Sequence, residues 1–275
     1  MKLLTLNTHS WLEDKDEEQI KELARLIQEA DCDLVALQEV NQGLTSPSAE
    51  TDTYFTPVAN QTPIQIDNFA YSLTQRLQAL GCAYYWSWAY NHIGYDRFQE
   101  GVALLSKEPL TPSARLLSET TDPADYHTRY GLLAQTIVAG KNILAASLHL
   151  SWWEGATSGF AYEWQRLEEV LADSSLPVAL LGDFNNPAHI TAGGYDLVMQ
   201  SPLQLQDSYQ IARERQGSFT IPAKIAGWEE ATEPMRIDYV FVRNLPITHY
   251  QIVFDDHHSP KISDHFGILV TVDEG

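Results

Sequence analysis

The chain has 275 residues, 44% of them hydrophobic, enough to bury a full core in one large unit or two small ones. Its 37 Asp and Glu against 17 Lys and Arg leave a formal charge of −20, so most of the surface repels a polyanion. A nucleic-acid binder draws most of its affinity from Lys and Arg on phosphates, and here that would require a local basic patch against the overall balance.

Residues 2–6 read as a buried strand, too short for a signal peptide and without a small-residue cleavage site after it. No run of about 18 apolar residues occurs, so a cytoplasmic protein without a transmembrane helix is expected. A helix follows over 16–30, with Ile20, Leu23, Ile27 and Ala30 at helical spacing. Residues 33–38 form a second buried strand that ends on Glu39. Residues 41–67, rich in Thr, Pro, Ser and Asn, read as a long loop that either closes over a substrate or decorates the surface. A helix over 68–80 carries Phe69, Leu73, Leu77 and Leu80 on one face, with Gly81 as its C′ residue. Strand-like runs follow at 84–88, 101–106, 132–138 and 142–148, the last two joined in a hairpin through Ala139-Gly140-Lys141. After a helix over 160–172 come strands at 178–181, 237–242 and 266–272.

The absence of repeats and low-complexity linkers favours a single domain over 1–275. Hairpins mixed with isolated strand–helix units exclude a regular βαβ series, and a two-sheet α/β sandwich with helices outside fits best. Cys32 and Cys82 stand in neither a disulfide framework nor a metal-ligand spacing and read as two buried, reduced thiols.

Acidic, amide and imidazole side chains recur where the apolar strands end. Asn7 follows LLTL, Glu39 follows DLVALQ, His149 closes NILAASL, and Asp183 with Asn185 follows VALLG. Asp238 opens IDYVFV, and Asp264 and His265 precede FGILV. Any one of these is ordinary loop chemistry; the set is what a core-anchored cleft presents. Carboxylates and amide oxygens are the hard ligands Mg²⁺ prefers, and such an ion polarises phosphoryl oxygens. A His held by an Asp stabilises charge building on phosphate. There is no G-x-S-x-G nucleophile elbow and no Walker-type loop.

Leu4-Thr5-Leu6-Asn7, Leu37-Gln38-Glu39-Val40, Ser147-Leu148-His149-Leu150, Gly182-Asp183-Phe184-Asn185, Arg236-Ile237-Asp238-Tyr239-Val240 and Ser263-Asp264-His265-Phe266 resemble, in order, the motifs of the endonuclease/exonuclease/phosphatase superfamily. The resemblance spans residues 4–266 and implies a DNase I-like four-layer αββα sandwich with two mixed or antiparallel sheets. It implies Mg²⁺ or Mn²⁺ held by Glu39, Asn7 and Asp264, Asp183 as the base for water, and Asn185 steadying water and phosphate. It further implies His265 paired with Asp238 on the phosphoryl oxygens, His149 as the second histidine, and Glu100 orienting it. Arg129 is either a phosphate contact or an ordinary surface arginine.

The loops carry the substrate question. Trp86, Trp88, Tyr90 and Asn91-His92 belong either to the core or to a sugar- or base-stacking surface. Trp152 and Trp153, directly after the His149 motif, are expected to face substrate, and His257 and His258 either reach the cleft mouth or lie in solvent. LNTHSW, the polar insertion after LQEVNQ and HLSWW resemble the bacterial branch that includes maltose 6′-phosphate phosphatases. The expected function is therefore release of phosphate from a small phosphorylated sugar, with no nucleic acid or membrane as partner. The alternatives are a nuclease of the exonuclease III or DNase I type, a lipid or inositol phosphodiesterase, and a catalytically silent interaction protein.

Overall fold

The computed structural model describes residues 1–13, 16–154, 158–225 and 227–273. In chain order its elements are β1 (Lys2–Asn7), α1 (Asp16–Ala30), β2 (Leu34–Gln38), β3 (Gln42–Gly43), α2 (Phe69–Ala79), β4 (Tyr85–Gly94), β5 (Phe98–Ser106), β6 (Thr111–Leu116), β7 (Tyr130–Val138), β8 (Lys141–His149), α3 (Phe160–Leu171), β9 (Val178–Asp183), α4 (Gly194–Met199), β10 (Gln206–Asp207), α5 (Ser208–Ile211), β11 (Glu214–Gln216), β12 (Asp238–Arg243), β13 (Ile247–Val253) and β14 (Gly267–Val272). The strands form two sheets. The first runs β11-β13-β14-β1-β2-β5, with β3 also paired to β5 and β4 on the far side of β5. The second runs β10-β12-β9-β8-β7-β6. Each mixes parallel pairs, such as β1–β2 and β8–β9, with antiparallel ones.

Strand periodicity explains why the central strands read as unbroken apolar runs. Successive side chains point to opposite faces, and here both faces are buried. Leu3, Leu34 and Ala36 face inward with Leu104 against Ala145, Ala179, Leu181 and Val240 of the second sheet. Their neighbours Leu4, Leu6, Val35 and Leu37 face outward and pack on Leu23 and Ile27 of α1 and Leu73 and Leu77 of α2. On the other side Phe160, Trp164, Leu167 and Leu171 of α3 cover Leu148, Leu180 and Phe241. The result is the expected four-layer sandwich. Asn68 caps α2 by accepting from the Tyr71 N–H, and Gly81 follows that helix at φ +81°. Ala139 and Gly140, both at positive φ, make the two-residue turn between β7 and β8.

Segment 41–67, apart from the two-residue β3, is irregular but pinned. Tyr54 and Thr56 exchange backbone hydrogen bonds with Trp86, so the insertion covers the free edge of β4. None of its residues lines the catalytic cleft described below. Cys32 is buried as expected, whereas Cys82, just past α2, is only half-buried. Among the described residues no helix is long and apolar enough to cross a membrane.

Candidate active site

Topology brings the strand ends to one edge of the sandwich. β1 and β2 run parallel and deliver Asn7 and Glu39, while β8 and β9 run parallel with His149 directly opposite Asp183. β12 runs antiparallel to β9, which sets Asp238 opposite Asp183 from the other side. β14 is antiparallel to β1, so Asp264 and His265 arrive beside the end of β1. Beneath them Gln38 Nε2 donates to Ser147 Oγ at 2.9 Å and Ser147 Oγ donates to the Leu37 carbonyl at 2.9 Å, a buried polar tie between the sheets. Glu39 and Asn185 both hold left-handed backbone, φ 48° and 50°, uncommon for non-glycine residues and concentrated at functional sites.

Asp183 is the focal point. Its Oδ2 accepts from Asn7 Nδ2 at 3.1 Å, and His149 Nε2 and His265 Nε2 each approach it to 3.8 Å. Its Oδ1 accepts from the Asn185 N–H at 2.8 Å. His265 Nδ1 lies 3.1 and 3.0 Å from the two Asp238 oxygens. Burial alone would strip the His265 ring of its proton; the Asp238 and Asp183 carboxylates reverse this and hold its pKa well above the ordinary histidine value. On the other flank Glu100 Oε1 lies 3.5 Å from His149 Nδ1, 3.6 Å from His92 Nε2 and 3.7 Å from Arg129 Nη1. Burial would raise the Glu100 carboxyl, but His92, His149 and Arg129 pull it down to about 2. An ionised Glu100 behind His149 is what the orienting role requires.

The carboxylates at the cleft suit a metal ion. Glu39 Oε2 is buried without a hydrogen-bond partner. Burial, with the Glu100 charge added, pushes its carboxyl above the usual range, a cost that a cation would relieve. Glu39 and Asp264 both line the cleft and offer hard oxygens, so the residues present fit a divalent ion such as Mg²⁺. Asn7 stands between the metal side and Asp183. Its Nδ2 donates to Glu39 Oε1 at 2.9 Å as well as to Asp183, and its Oδ1 accepts from the His9 N–H at 3.1 Å. These contacts tie the Glu39 and Asp183 carboxylates together through one amide. Asp183, Asp238 and His265 also offer ligand atoms within 4.8 Å of one another, but His265 Nδ1 is already committed to Asp238.

Glu39, Glu100, His149, Asp183, Asn185, Asp264 and His265 line a cleft of roughly 380 Å³ together with His9, His92, Tyr95, Tyr126, Arg129, Trp152 and Glu229. Arg129 is buried, and its Nε and Nη1 have no hydrogen-bond partner, so the surface reading is excluded. Trp152 faces the cleft. Trp153 stands behind it, edge-on to the Trp152 ring at 4.9 Å and under the Arg129 guanidinium at 5.5 Å, and does not line the cleft. Trp86 and Trp88 are core residues, the latter donating from Nε1 to the Val40 carbonyl. His257 and His258 lie exposed on a turn whose backbone N–H groups bond Asp255, away from the cleft. The residues not anticipated from the sequence are His9, Tyr95, Tyr126, Trp228 and Glu229. His9 follows the Asn7 strand end closely, and that proximity was its one signal. Its Nδ1 lies 2.9 Å from Glu13 and 3.7 Å from Asp264; burial opposes its charge, yet Glu13, Glu39 and Asp264 raise its pKa to about 9.

The chain matches the endonuclease/exonuclease/phosphatase family over residues 6–265 and belongs to it, a family of phosphoester hydrolases that generally depend on divalent metal. It is similar in structure to an endonuclease/exonuclease/phosphatase family protein from Leptotrichia buccalis, with TM-score 0.86, 28% identity and 99% of each chain covered. It also resembles a mannosyl-6-phosphatase from Bacteroides thetaiotaomicron, with TM-score 0.67, 15% identity and 99% of each chain covered. A third resemblance is to a truncated TDP2 from Caenorhabditis elegans, with TM-score 0.62 and 16% identity, covering 98% of this chain and 96% of that one. No curated protein sequence matches it significantly. The architecture is thus the DNase I-like fold of this family.

Proposed function

We propose that the protein is a Mg²⁺- or Mn²⁺-dependent phosphomonoesterase that releases inorganic phosphate from a small phosphorylated sugar such as maltose 6′-phosphate. The observation that carries the hydrolytic reading is the convergence of His149 Nε2, His265 Nε2 and Asn7 Nδ2 on Asp183 Oδ2. In this reading Asp183 orients the attacking water and accepts its proton as the new P–O bond forms and the ester P–O bond breaks. Cationic His265, together with His149, the Asn185 amide and the Arg129 guanidinium, stabilises the charge on the phosphoryl oxygens. Glu39 and Asp264 would hold a divalent ion, which would supply Lewis-acid neutralisation of that charge.

The substrate class rests on the cleft walls and the charge. Trp152, Tyr95 and Tyr126 give apolar ring faces with polar edges, the chemistry that packs against a sugar ring, and Arg129 is one guanidinium, not a basic groove. A formal charge of −20 disfavours a polynucleotide, and a fold neighbour carries the description mannosyl-6-phosphatase. We place the enzyme in cytoplasmic carbohydrate metabolism. The test is a colorimetric phosphate assay with maltose 6′-phosphate, mannose 6-phosphate, glucose 6-phosphate and p-nitrophenyl phosphate, beside plasmid and oligonucleotide nicking. Phosphate release without nicking is expected; nicking without phosphate release would sink the sugar-phosphate reading and leave a nuclease.

A further inference from the structure

Segment 220–237, which leads into β12, carries a small core of its own: Ile221, Ile225, Met235 and Ile237, with Trp228 and Ala231 packed against it. Ala226 lies outside the described residues. Both ends of the segment are pinned at the catalytic edge. Thr220 Oγ1 accepts from the N–H groups of Ile237 at 3.0 Å and Asp238 at 3.1 Å, and the Thr220 carbonyl accepts from the Phe266 N–H next to His265. Ile221 and Met235 form a β-bridge that closes the base of the strap. From this strap the Trp228 indole Nε1 donates to Asn185 Oδ1 at 3.1 Å. The other end of the same amide is committed as well, because Asn185 Nδ2 donates to the Leu150 carbonyl at 3.0 Å.

A carboxamide has an acceptor oxygen and two N–H donors, and its two orientations are distinguished only by what surrounds it. Here the partners leave one choice. A flipped Asn185 would set its NH₂ against the indole N–H and its oxygen against the Leu150 carbonyl. In the observed orientation one Nδ2 hydrogen remains for a ligand in the cleft that Asn185 lines. We propose that Trp228 is a positioning residue: its indole N–H holds the Asn185 amide so that the free Nδ2 hydrogen meets a phosphoryl oxygen. This rests on the reading that Asn185 steadies the phosphate. A preorganised donor acts on the chemical step, and a loose one loses part of that effect.

The test is a double-mutant cycle with p-nitrophenyl phosphate as substrate. Trp228→Phe keeps a ring in the strap core and removes the donor. It is expected to lower kcat about tenfold with KM little changed, the loss of one hydrogen bond in the transition state. In the Asn185→Ala background the same change is expected to alter kcat by less than about twofold, because contacting pairs that act together are not additive. An equal loss in both backgrounds would show that Trp228 acts independently of Asn185 and would overturn the proposal. Full activity of Asn185→Ala would overturn the phosphate-contact reading itself, and the inference with it. A second readout needs no turnover: the Trp228 indole ¹H–¹⁵N resonance, assigned by its absence in Trp228→Phe, is expected to shift in Asn185→Ala, and an unmoved resonance would contradict the hydrogen bond.

Discussion

His265 owes its charge to its neighbours. With Asp238 Oδ2 at 3.0 Å and Asp183 Oδ2 at 3.8 Å, the buried ring stays protonated where an isolated buried histidine would be neutral. His265→Ala is therefore expected to lower kcat by about 10²–10⁴ in a protein that still folds, and to lower the melting temperature because buried Asp238 loses its partner, checked by steady-state kinetics beside thermal unfolding. His92 is the opposite case. Burial lowers its pKa to about 4, against 6.5 when unshifted, and its Nδ1 lies 3.1 Å from the Thr128 carbonyl. Between those values the unfolded chain binds a proton that the folded chain refuses, so stability falls as pH falls. His92→Asn keeps a donor near Thr128 but cannot titrate. It is expected to reduce the stability loss between pH 7 and pH 5 by about 2 kcal/mol, measured by urea denaturation at both pH values. An unchanged loss would contradict a neutral, buried His92.

The elements explain how much of the site was legible. β1, β2, β8 and β9 are buried on both faces over most of their length, so apolar residues dominate their sequences and the chemistry stands out at the strand ends as Asn7, Glu39, His149 and Asp183. Tyr126 and Trp228 were not legible, because they come from irregular segments whose paths are set by contacts distant in sequence, such as Arg129 with Trp153 and Thr220 with Asp238. β13 escaped notice because a bulge between Ile247 and His249 interrupts its alternation, and β6 because its edge position leaves it half-exposed and polar. Within β9, Gly182 has φ +147°, and a Cβ there would lie 1.9 Å from the Leu148 carbonyl oxygen. Gly182→Ala combines a strained backbone with a clash that no rotamer relieves. It is expected to destabilise the fold by at least about 3 kcal/mol, read as a lower urea midpoint, and a neutral effect would contradict the close approach of β8 and β9.

At the scale of the molecule, the sandwich supplies rigidity and the loops supply selectivity. The buried tie between Gln38, Ser147 and Leu37 holds the two sheets in register below the cleft, so the Glu39 side and the Asp183 side are parts of one frame. In a chain of formal charge −20, Arg129 and the protonated ring of His265 both line the cleft, a local positive patch that in the proposed function meets one phosphoryl group. The proposed reaction is hydrolysis of a phosphate monoester in this frame, with Asp183 as the base and Glu39 and Asp264 holding a divalent ion. Its most direct test is phosphate release from maltose 6′-phosphate across a Mg²⁺ titration, comparing wild type, Asp183→Asn and a wild-type sample treated with EDTA. Turnover in wild type is expected to saturate with Mg²⁺, EDTA to abolish it with recovery on adding Mg²⁺, and a folded Asp183→Asn to lose about 10²–10⁴ in kcat. Near-normal turnover by Asp183→Asn, or full activity in EDTA, would contradict it.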